Sequence, residues 1–295
     1  MRNKTFLLGA IMAFCVVWVM TSCVNSNDEP EQMPKQLNIT VLLDLSDRIS
    51  PTRYSEVPTP SHLERDTTII MEIVNLFKQD MESLGAFNAK GKLRVEMEPW
   101  PAISNINSLQ EELDVDCSEM NPKEKKELYD NIGTTFSQAL SEIYGQTIKS
   151  SRWAGSDIWR FFKNKVDMYI ENDTSYRNIL IVLTDGYIYH ENTKGRNGDS
   201  VQYLTKATIN KFRTANDPIK EIQSSGFGLM VPRDDLQNLE VLVLEVTPED
   251  GQSKDEDILS YCIGEWLKGM GVGKYKIYPT DLPVNTAKRV RSFIL

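Results

Sequence analysis

Two aspartates stand where two strongly apolar runs of the chain end. Asp44 follows Ile39-Thr40-Val41-Leu42-Leu43, and Asp185 follows Asn178-Ile179-Leu180-Ile181-Val182-Leu183-Thr184. Ser46 lies two residues beyond Asp44, and Ser156-Asp157 stand just before an apolar helical stripe. Carboxylate and hydroxyl oxygens are hard donors of the kind that hold Mg²⁺ or Mn²⁺, with water completing the shell. Zinc is a poor fit, because His62 and His190 are the only histidines and cannot make a histidine cluster. A Gly-x-Ser-x-Gly nucleophile elbow and a Walker-type loop are both absent. Gly269-Met270-Gly271-Val272-Gly273 follows a helix and reads as a turn, not a phosphate cradle. His190 falls with Tyr187 and Tyr189 in a polar loop after Asp185 and reads as a solvated rim position.

Strands and helices alternate along the chain and must position these groups. The runs at Ile39–Leu43, Asn178–Thr184 and Leu239–Val246 are nearly continuous in Val, Ile and Leu. Such runs fit central strands buried on both faces of a parallel sheet. Leu93–Met97 and Tyr275–Tyr278 are weaker and belong nearer the edges. Between them lie amphipathic helices. Asp66 is placed as the cap of one that buries Ile70, Ile73, Phe77, Met81 and Leu84 and stops at Gly85. Asn121-Pro122 opens a second, with Leu128, Ile132, Phe136, Leu140 and Ile143 on its stripe. Gly155 or Ser156 opens a third, with Ile158, Phe161, Phe162 and Val166, and Asp257 opens a fourth, with Ile258, Leu259, Cys262, Ile263 and Trp266. A last amphipathic helix carries Lys288, Arg289 and Arg291 on a solvated face. The alternation predicts an α/β fold: a doubly wound, mostly parallel central sheet with helices on both faces. Ligands of such sheets bind outside the carboxyl ends of the strands, where Asp44, Ser46, Ser156, Asp157 and Asp185 are expected to meet. The Ile39–Leu43 strand is expected beside Ile179–Leu183.

Val41-Leu42-Leu43-Asp44-Leu45-Ser46 resembles the first-strand motif of von Willebrand factor A domains, Asp-x-Ser-x-Ser, and Leu183-Thr184-Asp185-Gly186 resembles their later Thr-Asp-Gly strand end. The resemblance in topology covers residues 37–295. It implies a metal-ion-dependent adhesion site with Asp44, Ser46, Ser156 and Asp185 as ligands of Mg²⁺ or Mn²⁺, and Asp157 as a further carboxylate. Thr134 or Thr135 is the alternative third ligand. One position departs from the pattern: Arg48 replaces the last motif serine. A guanidinium cannot ligate a cation and repels it. Either Arg48 turns outward and leaves the oxygens to a metal, or it sits between Asp44 and Asp185 and neutralises them itself.

The N-terminus reads as a targeting segment. Arg2 and Lys4 precede the apolar run Phe6–Met20, too short for a comfortable span but suited to a secretory leader. Met20-Thr21-Ser22-Cys23 resembles a bacterial lipobox, which implies cleavage before Cys23 and acylation of its thiol. More than one acyl chain gives stable anchoring without a spanning helix. The expected organisation is a leader over 1–22, a flexible tether over 23–36 and one domain over 37–295. Asn25–Glu29 is similar to surface-export signals of some Gram-negative lipoproteins. The chain has 33 basic and 42 acidic residues, a formal charge of -9, which argues against nucleic acid or anionic lipid as the main partner. Cys15 falls in the leader, so only Cys117 and Cys262 remain to pair or stay as thiols.

Two functions fit. In the first, the domain is a lipid-anchored cell-envelope binding module. It docks a partner protein through the metal site, with Arg48, Tyr187, Tyr189 and His190 on the rim and the long Ser46–Asp66 loop beside it. The membrane is then reached only through the lipid. The second is a metal-dependent phosphatase or hydrolase with Asp44 as nucleophile. It has less support, because Ser46 stands where a haloacid-dehalogenase-like enzyme places a second aspartate, and no general base is evident.

Overall fold

The Ile, Val and Leu runs build the sheet expected of them. The computed structural model describes residues 34–52, 60–150, 152–153, 155–248 and 253–295. Cys23, the leader and most of the tether lie outside the described residues, as do residues 53–59 of the loop after Ser46. The chain runs β1 (Gln36–Leu43), α1 (His62–Asn88), β2 (Lys92–Glu96), α2 (Ile106–Glu112), β3 (Asp114–Asp116), α3 (Pro122–Ser150), β4 (Gly155–Ser156) and α4 (Ile158–Asn164). It continues through β5 (Tyr176–Leu183), β6 (Tyr189–His190), β7 (Arg196–Asn197), β8 (Ser200–Val201), α5 (Lys206–Arg213), α6 (Pro218–Ser225) and β9 (Gly228–Leu229). β10 (Leu239–Val246), α7 (Ser253–Gly269), β11 (Lys274–Pro279) and α8 (Pro283–Ile294) complete it.

The main sheet has six strands in the order β11-β10-β5-β1-β2-β3. All neighbours are parallel except the short edge strand β3, which runs antiparallel to β2. Counted in chain order, these strands follow the doubly wound order 3-2-1-4-5-6. The winding therefore reverses between β1 and β5, whose register pairs Ile39 with Ile179 and Leu43 with Leu183. Strand side chains alternate between two cores, as a period of two requires. Ile39, Val41, Leu43, Ile181, Leu183 and Leu244 pack under α1, α3 and α8, against Ile73, Phe77, Phe136, Ile143 and Phe293. Leu42, Leu180, Val182, Val241 and Val243 pack on the other face, against Phe161 and Phe162 of α4, Phe212 of α5, Ile222 of α6 and Trp266 of α7. With both faces covered, the central strands have no polar face to show, which is why their sequences lack one.

Several helix starts differ from the sequence expectation. Ser61 caps α1 through a capping box with Glu64, a Ser-x-x-Glu pattern that satisfies two backbone donors at once. Asp66 therefore lies inside the helix, fully buried. Gly85 interrupts α1 with φ +74, as a glycine stop would, yet helical turns resume to Asn88. Gly155–Ser156 does not open a helix; it pairs antiparallel with Tyr189–His190, and Asp157 caps α4 instead. α7 starts at Ser253, a turn before Asp257. Cys117 and Cys262 are both free buried thiols. They belong to the two separate cores.

Candidate functional site at the carboxyl edge of the sheet

The parallel register of β1 and β5 delivers Asp44 and Thr184-Asp185 side by side at the switch point. The Asp44 amide donates to the Leu183 carbonyl at 3.0 Å, the Thr184 amide to Leu244 at 3.1 Å, and the Thr247 amide to Asp185 at 3.0 Å. The Asp44 side chain is buried and fully engaged. Its Oδ1 accepts from the Ser46 amide at 2.8 Å, an Asx turn. Its Oδ2 accepts from the Thr184 hydroxyl at 2.8 Å. Asp185 Oδ1 accepts from the Tyr187 amide at 3.0 Å. The turn between them needs Gly186, at φ +92, where an added Cβ would meet Val246 at 3.1 Å and Leu259 at 3.4 Å.

Arg48 turns inward. The chain leaves Asp44 into a single 3-10 turn, Asp47–Ile49, capped by the Ser46 hydroxyl. This places the Arg48 side chain under the sheet edge with no exposed surface. Its Nε donates to the Asp44 carbonyl at 2.7 Å, and its Nη2 to Asp66 Oδ2 at 2.5 Å. The Tyr144 hydroxyl of α3 donates to the same Asp66 oxygen. Asp66 and Tyr144 are likewise fully buried. Burial alone would lower the Arg48 pKa; Asp66 first, then Tyr144, Asp44 and Asp185, more than offset it and hold it above the usual value. The Tyr144 phenol is pushed well up, by burial and by the charge of Asp66.

A second charged pair adjoins this one. Arg65 Nε meets Glu245 Oε2 at 2.8 Å, and Arg65 also donates to the Asp281 carbonyl. Glu245 sits at the register shift between β10 and β11 with φ +70, which is uncommon for a non-glycine residue. Burial raises the Glu245 pKa, while Arg65 pulls it down.

The Ser156-Asp157 segment reaches the same edge of the sheet by another route. The Asp157 amide donates to the Glu98 carbonyl, just past β2, at 2.8 Å. Ser156 is buried on β4 opposite Tyr189. The Asp157 carboxylate is directed at its own helix and the β6 loop: Oδ1 accepts from the Arg160 amide at 3.1 Å and Oδ2 from the Thr193 hydroxyl at 2.5 Å. His190 is not the solvated loop residue expected, because its Nδ1 lies 3.4 Å from Asp157 and its side chain is only 11% exposed. Tyr187 is buried as well, whereas Tyr189 is 40% exposed. Thr134 and Thr135 lie mid-helix on α3. At about 1.5 Å per residue they fall roughly 15 Å along the axis from Tyr144, away from the edge. A cleft of about 280 Å³ is lined by Leu45, Pro99, Pro101, Trp153 and Gly155.

The last motif position offers no ligand to a divalent cation. The third motif position holds a buried guanidinium where a hydroxyl ligand was needed, and the Asp157 carboxylate accepts from the Arg160 amide and the Thr193 hydroxyl. Neither expected direction of Arg48 is the observed one: it turns inward, but to Asp66 and the Asp44 backbone carbonyl rather than to a seat between the Asp44 and Asp185 carboxylates. Sequence reading did not anticipate Asp66, Tyr144, Arg65 or Glu245. One signal was available: Asp66 shares the helical stripe of Ile70, Ile73 and Phe77, and a charge on an apolar stripe demands a buried partner.

No family model matches the chain, and no curated protein matches it in sequence. Among solved structures, the chain aligns with an aerotolerance-related membrane protein from Bacteroides fragilis, crystallised with multiple mutations to serines. The two are 14% identical, the alignment covers 88% of this chain and 98% of that one, and the TM-score is 0.35.

Proposed function

We propose that this chain is a lipid-anchored envelope protein whose von Willebrand A-like domain docks a partner protein at the switch-point edge. One observation carries the reading. Asp44 and Asp185 stand side by side where a doubly wound sheet reverses, and the Ser156-Asp157 segment reaches the same carboxyl edge at Glu98, past β2, with a cleft at Leu45 and Gly155. That is where such sheets bind ligands, and those are the positions at which the sequence resembles the adhesion family. The rim offers an exposed tyrosine, Tyr189, and the cleft offers Trp153 and two prolines. Aromatic anchors beside a polar edge suit protein recognition. The lipobox resemblance at Cys23 supplies the anchor, and no helix among the described residues is long and apolar enough to cross a membrane.

The test is capture from envelope extract by the mature chain, by Tyr189→Glu at the proposed rim, and by Asn172→Lys at the opposite, amino edge. A specific protein held by the native chain and by Asn172→Lys, but lost with Tyr189→Glu, supports the reading. Equal capture by all three places the docking face elsewhere.

A further inference from the structure

We infer that Arg48 is the resident cation of this edge, so that the domain folds and docks without a divalent metal. The inference rests on the docking reading above and deepens it. Position comes first: Arg48 occupies the last place of the Asp44-x-Ser46-x-Arg48 motif, so the hydroxyl that would have ligated a metal is exchanged for a fixed positive charge. Geometry comes second: the guanidinium has no exposed surface, binds the Asp44 carbonyl through Nε, and meets Asp66 at 2.5 Å.

The arginine has a seat made for it. Asp66, which binds the guanidinium, and Tyr144, which donates to Asp66, come from two different helices and are both fully buried. The guanidinium is held by Asp66 and by the Asp44 backbone carbonyl, so a metal brought to Asp44 would lie beside its positive charge. The guanidinium keeps its proton throughout the range in which proteins are folded. The pair with Asp66 is made through one nitrogen, since Arg48 Nη1 and Asp66 Oδ1 have no hydrogen-bond partner among the described residues, while Nε holds the Asp44 carbonyl. A lysine should keep the charge without the forked pair of donors.

The experiment follows thermal unfolding of the mature chain in chelator and in millimolar magnesium or manganese, with calorimetric titration of manganese into the native protein. The native chain should show the same Tm in every condition and no binding heat. Arg48→Lys should stay insensitive to metal. Arg48→Ser, which restores the hydroxyl, should acquire a Tm rise of about 5–10 °C at a hundredfold excess of ion over its Kd. Manganese binding by the native chain that is lost in Asp185→Asn would overturn the inference. So would an Arg48→Ser protein that folds and ignores metal. If Arg48→Ser does not fold, the native titration decides alone. Partner capture in chelator separates the two readings. Capture that needs metal sinks the resident-cation inference and leaves the docking face standing; capture unaffected by Tyr189→Glu removes the docking face and leaves the titration result intact.

Discussion

Replacing Asp66 by alanine should be the most damaging single change at this edge. Asp66 is the direct counter-charge of a guanidinium without solvent contact, and the acceptor of the Tyr144 hydroxyl. Removing one partner of a buried ion pair leaves an uncompensated charge and costs about 3–5 kcal/mol. A buried phenol without its acceptor adds about 1–3 kcal/mol. These share one network and will not add fully, so the expected loss is about 4–6 kcal/mol. Replacing both charges by apolar groups of similar size removes the penalty. Arg48→Met with Asp66→Leu should therefore lie within about 2 kcal/mol of the native chain, in either direction. Urea unfolding of the native chain, Arg48→Met, Asp66→Leu and the pair gives the coupling energy directly. A loss below about 1 kcal/mol for Asp66→Ala, a surface-pair value, would show that the arginine is not seated inside.

Three further outcomes are expected. Cys23→Ala should appear in the soluble fraction or as an uncleaved precursor; a normally cleaved Cys23→Ala chain in the membrane fraction would refute lipid anchoring. Burial pushes the Asp80 carboxyl up to about 6, so its native-state penalty is absent below the unfolded value near 4 and fully felt above about 6. Asp80→Asn should consequently be more stable than the native chain by about 1 kcal/mol at neutral pH, with the advantage gone at pH ~4, and a gain that persists in acid would contradict this sign. Burial raises the Cys117 and Cys262 thiols to about 11 and about 12. Neither should react with a thiol reagent until the domain unfolds, and fast labelling of either in the native state would show a more open core.

The sheet was legible because its central strands are buried on both faces, so their Val, Ile and Leu runs are unbroken and end at Asp44 and Asp185. The doubly wound order then puts those two ends at the switch point. The start of α1 could have been read from Ser61-x-x-Glu64, a local pattern; choosing Asp66 as the cap hid its burial. The direction of Arg48 had no local signal. It is set by Asp66 and Tyr144, which lie far along the chain and converge only when α1 and α3 pack on one face. The β4–β6 pairing was equally hidden, because two residues per strand carry no periodicity. Ser156 and Asp157 form a short strand and a helix cap, and the Asp157 carboxylate is used on the Arg160 amide and the Thr193 hydroxyl, partners that a helix start at Gly155 or Ser156 did not suggest.

The docking edge can be tested most directly in cells, by placing a photo-crosslinking residue at Tyr189 on the carboxyl edge and, separately, at Asn172 on the amino edge. Tyr189 should give a discrete protein adduct that persists in chelator, and Asn172 should give none. Adducts from Asn172 alone, or a Tyr189 adduct that vanishes without divalent metal, would contradict a metal-free docking face at the switch point.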